Sequence, residues 1–132
     1  MPHLESINPG WPRYERYTFS PAVRRGNLLF ISGLTATDDD GAIVGNGDIV
    51  AQTRRIFELI GQLLAEAGGT FDDVVKTVDF ITTTDDYGGT ADVRREFFPN
   101  GFPAATGVVV KQLLRPDALI EIDAIAVLDS AS

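Results

Sequence analysis

The chain has 132 residues, 44% of them hydrophobic and 23% charged, with no cysteine and a formal net charge of −8. That length suits one domain with a substantial core and is short for two, and the ordinary hydrophobic fraction argues against wholesale disorder. Lack of cysteine removes disulfides, thiolate nucleophiles and Cys-based metal sites. The lone His3 leaves no basis for a His-based zinc site or a Ser–His pair, and the acidic balance argues against nucleic acid.

The N-terminal residues lack the basic-then-apolar order of a signal peptide, and no apolar run nears the roughly 20 residues of a membrane span. A soluble cytoplasmic protein is expected, built as a single domain over residues 1–132 that needs neither metal nor cofactor. Its chemistry would rest on carboxylates, hydroxyls, backbone amides and water.

Residues 1–16, with Pro2, Pro9, Gly10 and Pro12, read as an irregular N-terminal arm carrying Trp11 and Tyr14. Tyr17 to Val23 and Leu28 to Ser32 read as strands joined by the turn Arg24-Arg25-Gly26-Asn27, where Gly and Asn tolerate positive φ. Asp38-Asp39-Asp40-Gly41 fits a solvated turn, because a calcium loop needs a longer ligand pattern ending in a bidentate Glu. From about Asp48 to Ala67, Ile56, Leu59, Ile60, Leu63, Leu64 and Ala67 recur at three- and four-residue spacing. That is one stripe of an amphipathic helix, capped by Asp48 and ended by Gly68-Gly69.

Val74 to Thr82 is rich in β-branched residues and predicts a strand, followed by a helix from about Asp85 to Phe97 bearing Arg94 and Arg95. Pro99 to Pro103 breaks that helix. Ala104 to Val110 and Ala118 to Val127 then supply two strands around the turn Arg115-Pro116-Asp117. Two helices, each with one apolar stripe, fit against one face of a single mixed sheet, an α+β architecture.

The last strand holds the strongest functional signal. Leu119 to Val127 is apolar except for Glu121 and Asp123. Alternation puts Ile120, Ile122, Ala124 and Ala126 on one face and both acids on the other with Leu119, Ile125 and Val127, the carboxylate positions roughly 6.5–7 Å apart at about 3.3 Å per residue. Charges on a partly apolar face need a partner, a wet cleft or a subunit seam. With no helix left to cover that face, self-association is the natural way to bury it.

Several segments in order resemble the Rid family of reactive-intermediate deaminases (YjgF type). They are Ser20 to Val23 with Gly26 to Gly33, Asp48 to Arg54, Asp73 to Val78, Phe102-Pro103-Ala104 and Ile120 to Ala126. The resemblance runs from about Thr18 to Val127. It implies a chorismate-mutase-like fold, a homotrimer whose sheets pack into a central barrel, clefts between neighbouring subunits, and cofactor-free hydrolysis of imines and enamines released by pyridoxal-phosphate enzymes to a keto acid and ammonia. By that likeness Glu121 orients the attacking water and Ser32 lines the cleft.

Two polar groups of the family pattern are absent. The arginine that grips the substrate carboxylate corresponds to Ala105, and a cleft tyrosine corresponds to Phe19. Gly107 stands where Cys or Thr is usual, so backbone amides near Thr106 and Gly107 and the hydroxyls of Thr106 or Ser32 become the candidate donors. Losing the guanidinium removes charge-assisted bonds worth roughly 1.5–3 kcal/mol, which makes simple 2-imino acids poor substrates. Arg25, ahead of Arg24, Arg94 and Arg95, is the candidate replacement cation from a neighbouring subunit, and Tyr17 or Tyr14 the candidate phenol. A small-molecule ligand is expected in each reading: a retargeted imine or enamine hydrolase, a non-catalytic binder, or a tautomerase or cyclase using Glu121 as proton shuttle.

Overall fold

A computed structural model describes residues 4–129, so Pro2 and His3 of the predicted arm lie outside the described residues. Six strands form one mixed sheet: β1 (Glu5–Ile7), β2 (Ala22–Arg25), β3 (Leu28–Leu34), β4 (Val74–Ile81), β5 (Ala104–Val109) and β6 (Ile120–Val127). Their spatial order is β1-β2-β3-β6-β4-β5, antiparallel except for the β4–β5 pair. The helices are α1 (Ile49–Glu66) and α2 (Thr90–Phe97).

Helix α1 forms where its apolar stripe and end signals coincide. Asp48 accepts a hydrogen bond from the Ala51 amide at 3.0 Å, and Gly68 takes a left-handed φ of +82° just past the last turn. The stripe residues Ile56, Phe57, Leu59, Ile60, Leu63 and Leu64 are buried. They pack with Ile120, Ile122, Ala124 and Ala126 of β6 in one core. The other face of β6, with Glu121, Asp123 and Ile125, is half-buried, so the predicted alternation holds residue by residue.

Three segments differ from the sequence reading. The arm is not wholly irregular: Glu5 to Ile7 pairs with β2, and Pro12–Arg16 forms a 3₁₀ turn. Asn8 fixes its path by accepting from the amides of Gly10 and Trp11. The indole of Trp11 is buried and donates to Gln62 of α1 at 3.1 Å. Strand β2 starts at Ala22 rather than Tyr17, since Tyr17 to Phe19 bends so that its rings stack on one another instead of entering the sheet. Helix α2 begins at Thr90, because Tyr87-Gly88-Gly89 makes a 3₁₀ turn entered through Asp86 at φ +59°.

Beneath the end of β4, the buried Asp79 accepts from Tyr87 at 2.6 Å and pairs with Arg94 of α2. This tie fastens α2 to the sheet. Among the described residues no helix is long and apolar enough to cross a membrane.

Candidate functional site

Where β3 meets β6, the pairing register slips between Ile31 and Leu34, a bulge that bends the strand and frees space beside it. The carboxylate of Glu121 fills that space. A Cβ built on Gly33 would stand 2.4 Å from Glu121 Oε2, closer than any side chain can tolerate, so glycine is what admits the carboxylate here.

A cavity of about 260 Å³ opens over this pair. The 3₁₀ turn and the bend after it contribute Arg13, Tyr14, Tyr17 and Phe19; β3 and its extension contribute Gly33, Leu34, Thr35 and Thr37; the loop before β6 contributes Leu114 and Arg115. Tyr17 and Phe19 stack with centroids 5.3 Å apart at 15°, and Tyr14 meets both edge-on at 5.0 and 5.7 Å. The wall is thus aromatic, and Glu121 is the sole carboxylate lining it among the described residues.

Burial, first, and the nearby charge of Asp123, second, raise the pKa of Glu121 from its ordinary value. Asp123 is raised as well, by burial and then by Asp79, against an opposing pull from Lys76. Burial also raises the Tyr14 phenol, the neighbouring Arg13 opposing it. A carboxylate so tuned sits closer to neutrality, where a base that must give back its proton works best.

The arginines of the cavity were not among the sequence-derived candidates. Arg13 lies over the rings of Trp11 and Tyr14, 5.1 and 5.3 Å from their centroids, and donates to the buried Thr37 hydroxyl at 3.2 Å. Arg115 donates to the Gly41 carbonyl at 2.7 Å. Both come from turns brought to the site by tertiary packing, which no local pattern announces; Arg115 reads in sequence only as part of a turn.

Of the sequence-derived candidates, the structure brings Glu121, Tyr14, Tyr17 and Phe19 together in the cavity. Ser32 lies on β3 outside its lining, its hydroxyl donating to the Ser20 carbonyl at 2.6 Å. Ala105, Thr106 and Gly107 lie on the exposed edge strand β5. Thr106 accepts from Lys76 at 2.7 Å and aligns through Val78 with Asp123, two strand spacings or about 9.5 Å across the sheet. Arg25 ends β2 in an exposed hairpin position away from the cavity. Arg24 donates to the Gly26 and Ala67 carbonyls, Arg94 pairs with Asp79, and Arg95 pairs with Asp92. Within one subunit, the β5 group and the Glu121 cavity are separate.

The sequence profile of the Endoribonuclease L-PSP family matches residues 14–128, nearly the whole chain. The chain belongs to this family. Among similar proteins, the 3-aminoacrylate deaminase RutC of Acinetobacter baylyi is 38% identical over 108 residues, covering 82% of this chain and 85% of that one. YyfA of Yersinia pestis, a conserved Rid family protein of unknown function, superposes with a TM-score of 0.79 at 35% identity, over 85% of this chain and 89% of its own. Rv2704 of Mycobacterium tuberculosis, of the YjgF/YER057c/UK114 family, gives a TM-score of 0.80 at 30% identity, over 95% of this chain and 99% of its own. The Rid resemblance read from the sequence and the L-PSP fold coincide.

Proposed function

We propose that this L-PSP/Rid chain is a cofactor-independent hydrolase that deaminates a reactive imine or enamine, with Glu121 as the base that orients water. The observation that carries the proposal is Glu121 itself: among the described residues the sole carboxylate lining an aromatic cavity, raised in pKa by burial and seated against a glycine. Support comes also from the 38% identity to a 3-aminoacrylate deaminase.

In the proposed reaction an enamine first gains a proton on carbon and gives one up from nitrogen, becoming the imine. Water then adds to the C=N carbon while Glu121 accepts its proton. The former imine nitrogen receives that proton to give the carbinolamine, whose hydroxyl proton then passes to nitrogen as the C–N bond breaks and C=O forms; carbonyl compound and ammonia leave, so imine plus water balances carbonyl plus ammonia. Desolvation by the aromatic wall strengthens each of these polar contacts. The β5 donors near Thr106 and Gly107 join the cleft if neighbouring subunits of a homotrimer set β5 of one against the Glu121 cavity of the next, the partner arrangement expected from the resemblance.

Ala105 at the position of the substrate-gripping arginine favours a second reading, a binder that has left deamination behind. Ammonia release from imines generated in situ separates the two. In the first reading Glu121→Gln lowers turnover by about 10²–10⁴-fold. Absence of turnover in the parent with clear activity in Ala105→Arg establishes the second.

A further inference from the structure

Ion pairs among the described residues engage Arg54, Arg55, Arg94 and Arg95, yet none involves Arg13 or Arg115, the two arginines that line the cavity. Both are partly buried; Arg13 bonds the neutral oxygens of Thr37 and Tyr14, and Arg115 the Gly41 carbonyl. Those bonds hold the guanidinia on one rim, since a Cβ on Gly41 would meet Arg13 Cδ at 3.3 Å. A guanidinium carries five N–H donors, more than these bonds use. Two half-buried cations against the single carboxylate of Glu121 leave the cavity net positive in a chain that is net negative overall. Thr37 and Gly41, which hold the two guanidinia, lie four and eight residues beyond Gly33, against which Glu121 is seated, so the cationic rim stands apart from the base.

From this arrangement we infer that Arg13 and Arg115 form an anion subsite for a carboxylate that is spaced away from the reacting carbon. Resting on the proposed hydrolase reading, the inference assigns the substrate class: a planar imine or enamine whose carboxylate is separated from the C=N carbon by at least one atom. Such a substrate lays its unsaturated body along Tyr17 and Phe19, its C=N carbon beside Glu121 and its charge on the rim. A carboxylate attached directly to the C=N carbon would instead lie beside the Glu121 carboxylate, with Ala105 offering no cation to hold it there. The subsite therefore gives an acidic protein an anionic substrate, using cations that the position of the family arginine does not disclose.

Two measurements on the intact protein test this. Binding of benzoate and of its neutral isostere benzamide is followed by calorimetry in the parent and in Arg13→Met, Arg115→Met and the two Arg→Lys variants, with melting temperatures as a check on folding. Benzoate affinity is expected to fall at least 10-fold in each Met variant and to recover in part in the Lys variants, while benzamide affinity stays within 2-fold. In parallel, kcat/KM is compared for 3-aminoacrylate, with its spaced carboxylate, and 2-iminopropionate, with its carboxylate on the reacting carbon. A preference of 10-fold or more for the former, lost in the Met variants through KM, is expected. Benzoate binding unchanged in folded Arg13→Met and Arg115→Met overturns the subsite while leaving the hydrolase reading intact if Glu121→Gln still abolishes turnover. Arginine-dependent benzoate binding without turnover of any imine upholds the subsite and overturns the hydrolase reading.

Discussion

Gly33 and Glu121 occupy one small volume between them. Adding a single methyl in Gly33→Ala would drive into Glu121 Oε2, so the carboxylate must swing out of its seat while the backbone, which is not in the left-handed region at this residue, tolerates alanine. Turnover is expected to fall at least 10-fold with little change in melting temperature, measured side by side. The Asp123 charge contributes to the raised pKa of Glu121. Removing it in Asp123→Asn should move the acidic limb of the kcat/KM profile to lower pH, since the base then loses its proton more readily. Stability follows the opposite sense. A carboxyl group whose folded pKa lies above its unfolded one binds protons more tightly when folded, so stability falls as pH rises from the unfolded to the folded pKa. Glu121→Gln removes that burden and should raise the melting temperature at neutral pH relative to the parent, with the difference vanishing below about pH 4. A lower melting temperature at neutral pH would contradict the assignment of Glu121 as a strained functional group.

At the scale of elements, the tie between α2 and β4 concentrates in one buried pair. Asp79 is 2% exposed, and its Oδ1 has no protein partner among the described residues, its other oxygen serving both Tyr87 and Arg94. Arg94→Met leaves that carboxylate without its cation and should cost about 3–5 kcal/mol in urea unfolding, an effect far above that of the exposed pair Arg95–Asp92. How legible each element was follows from where its determinants lie. Helix α1 was readable to within a residue because stripe, Asp48 cap and Gly68 stop are all local, and β6 because burial on one side imposes strict alternation. Strand β1 was missed since Glu5-Ser6-Ile7 is a strand only by virtue of pairing with β2. The start of β2 was placed too early because Tyr17 and Phe19 have the composition of a strand but are held by ring stacking. For the site, two carboxylates in an otherwise apolar strand pointed to Glu121. Arg13 and Arg115 sit in turns whose meeting depends on the fold, so nothing nearby in sequence linked them to it.

The open face of the sheet presents Leu28, Phe30 and Val127, each more than a third exposed, beside half-buried Val78, Phe80 and Ile125. An apolar patch across several strands calls for a partner, and a homotrimer would cover it and complete the cleft with β5. Phe30→Asp, already 45% exposed in the single subunit, should leave the fold intact and reduce the mass in light scattering to that of one chain, with loss of imine turnover. A parent protein that is itself a stable monomer would overturn the trimer and the shared cleft together. One further consequence comes from the position of β6, last among the strands in sequence yet central in space, with β3 on one side and β4 on the other. During synthesis the halves of the sheet have nothing to join them until Ile120 to Val127 has left the ribosome. Each nascent chain therefore exposes the unpaired edge of β3 and, once Val74–Ile81 is made, that of β4 as well, until β6 arrives, and folding should be a late step, on the millisecond-to-second scale of folds rich in long-range pairings.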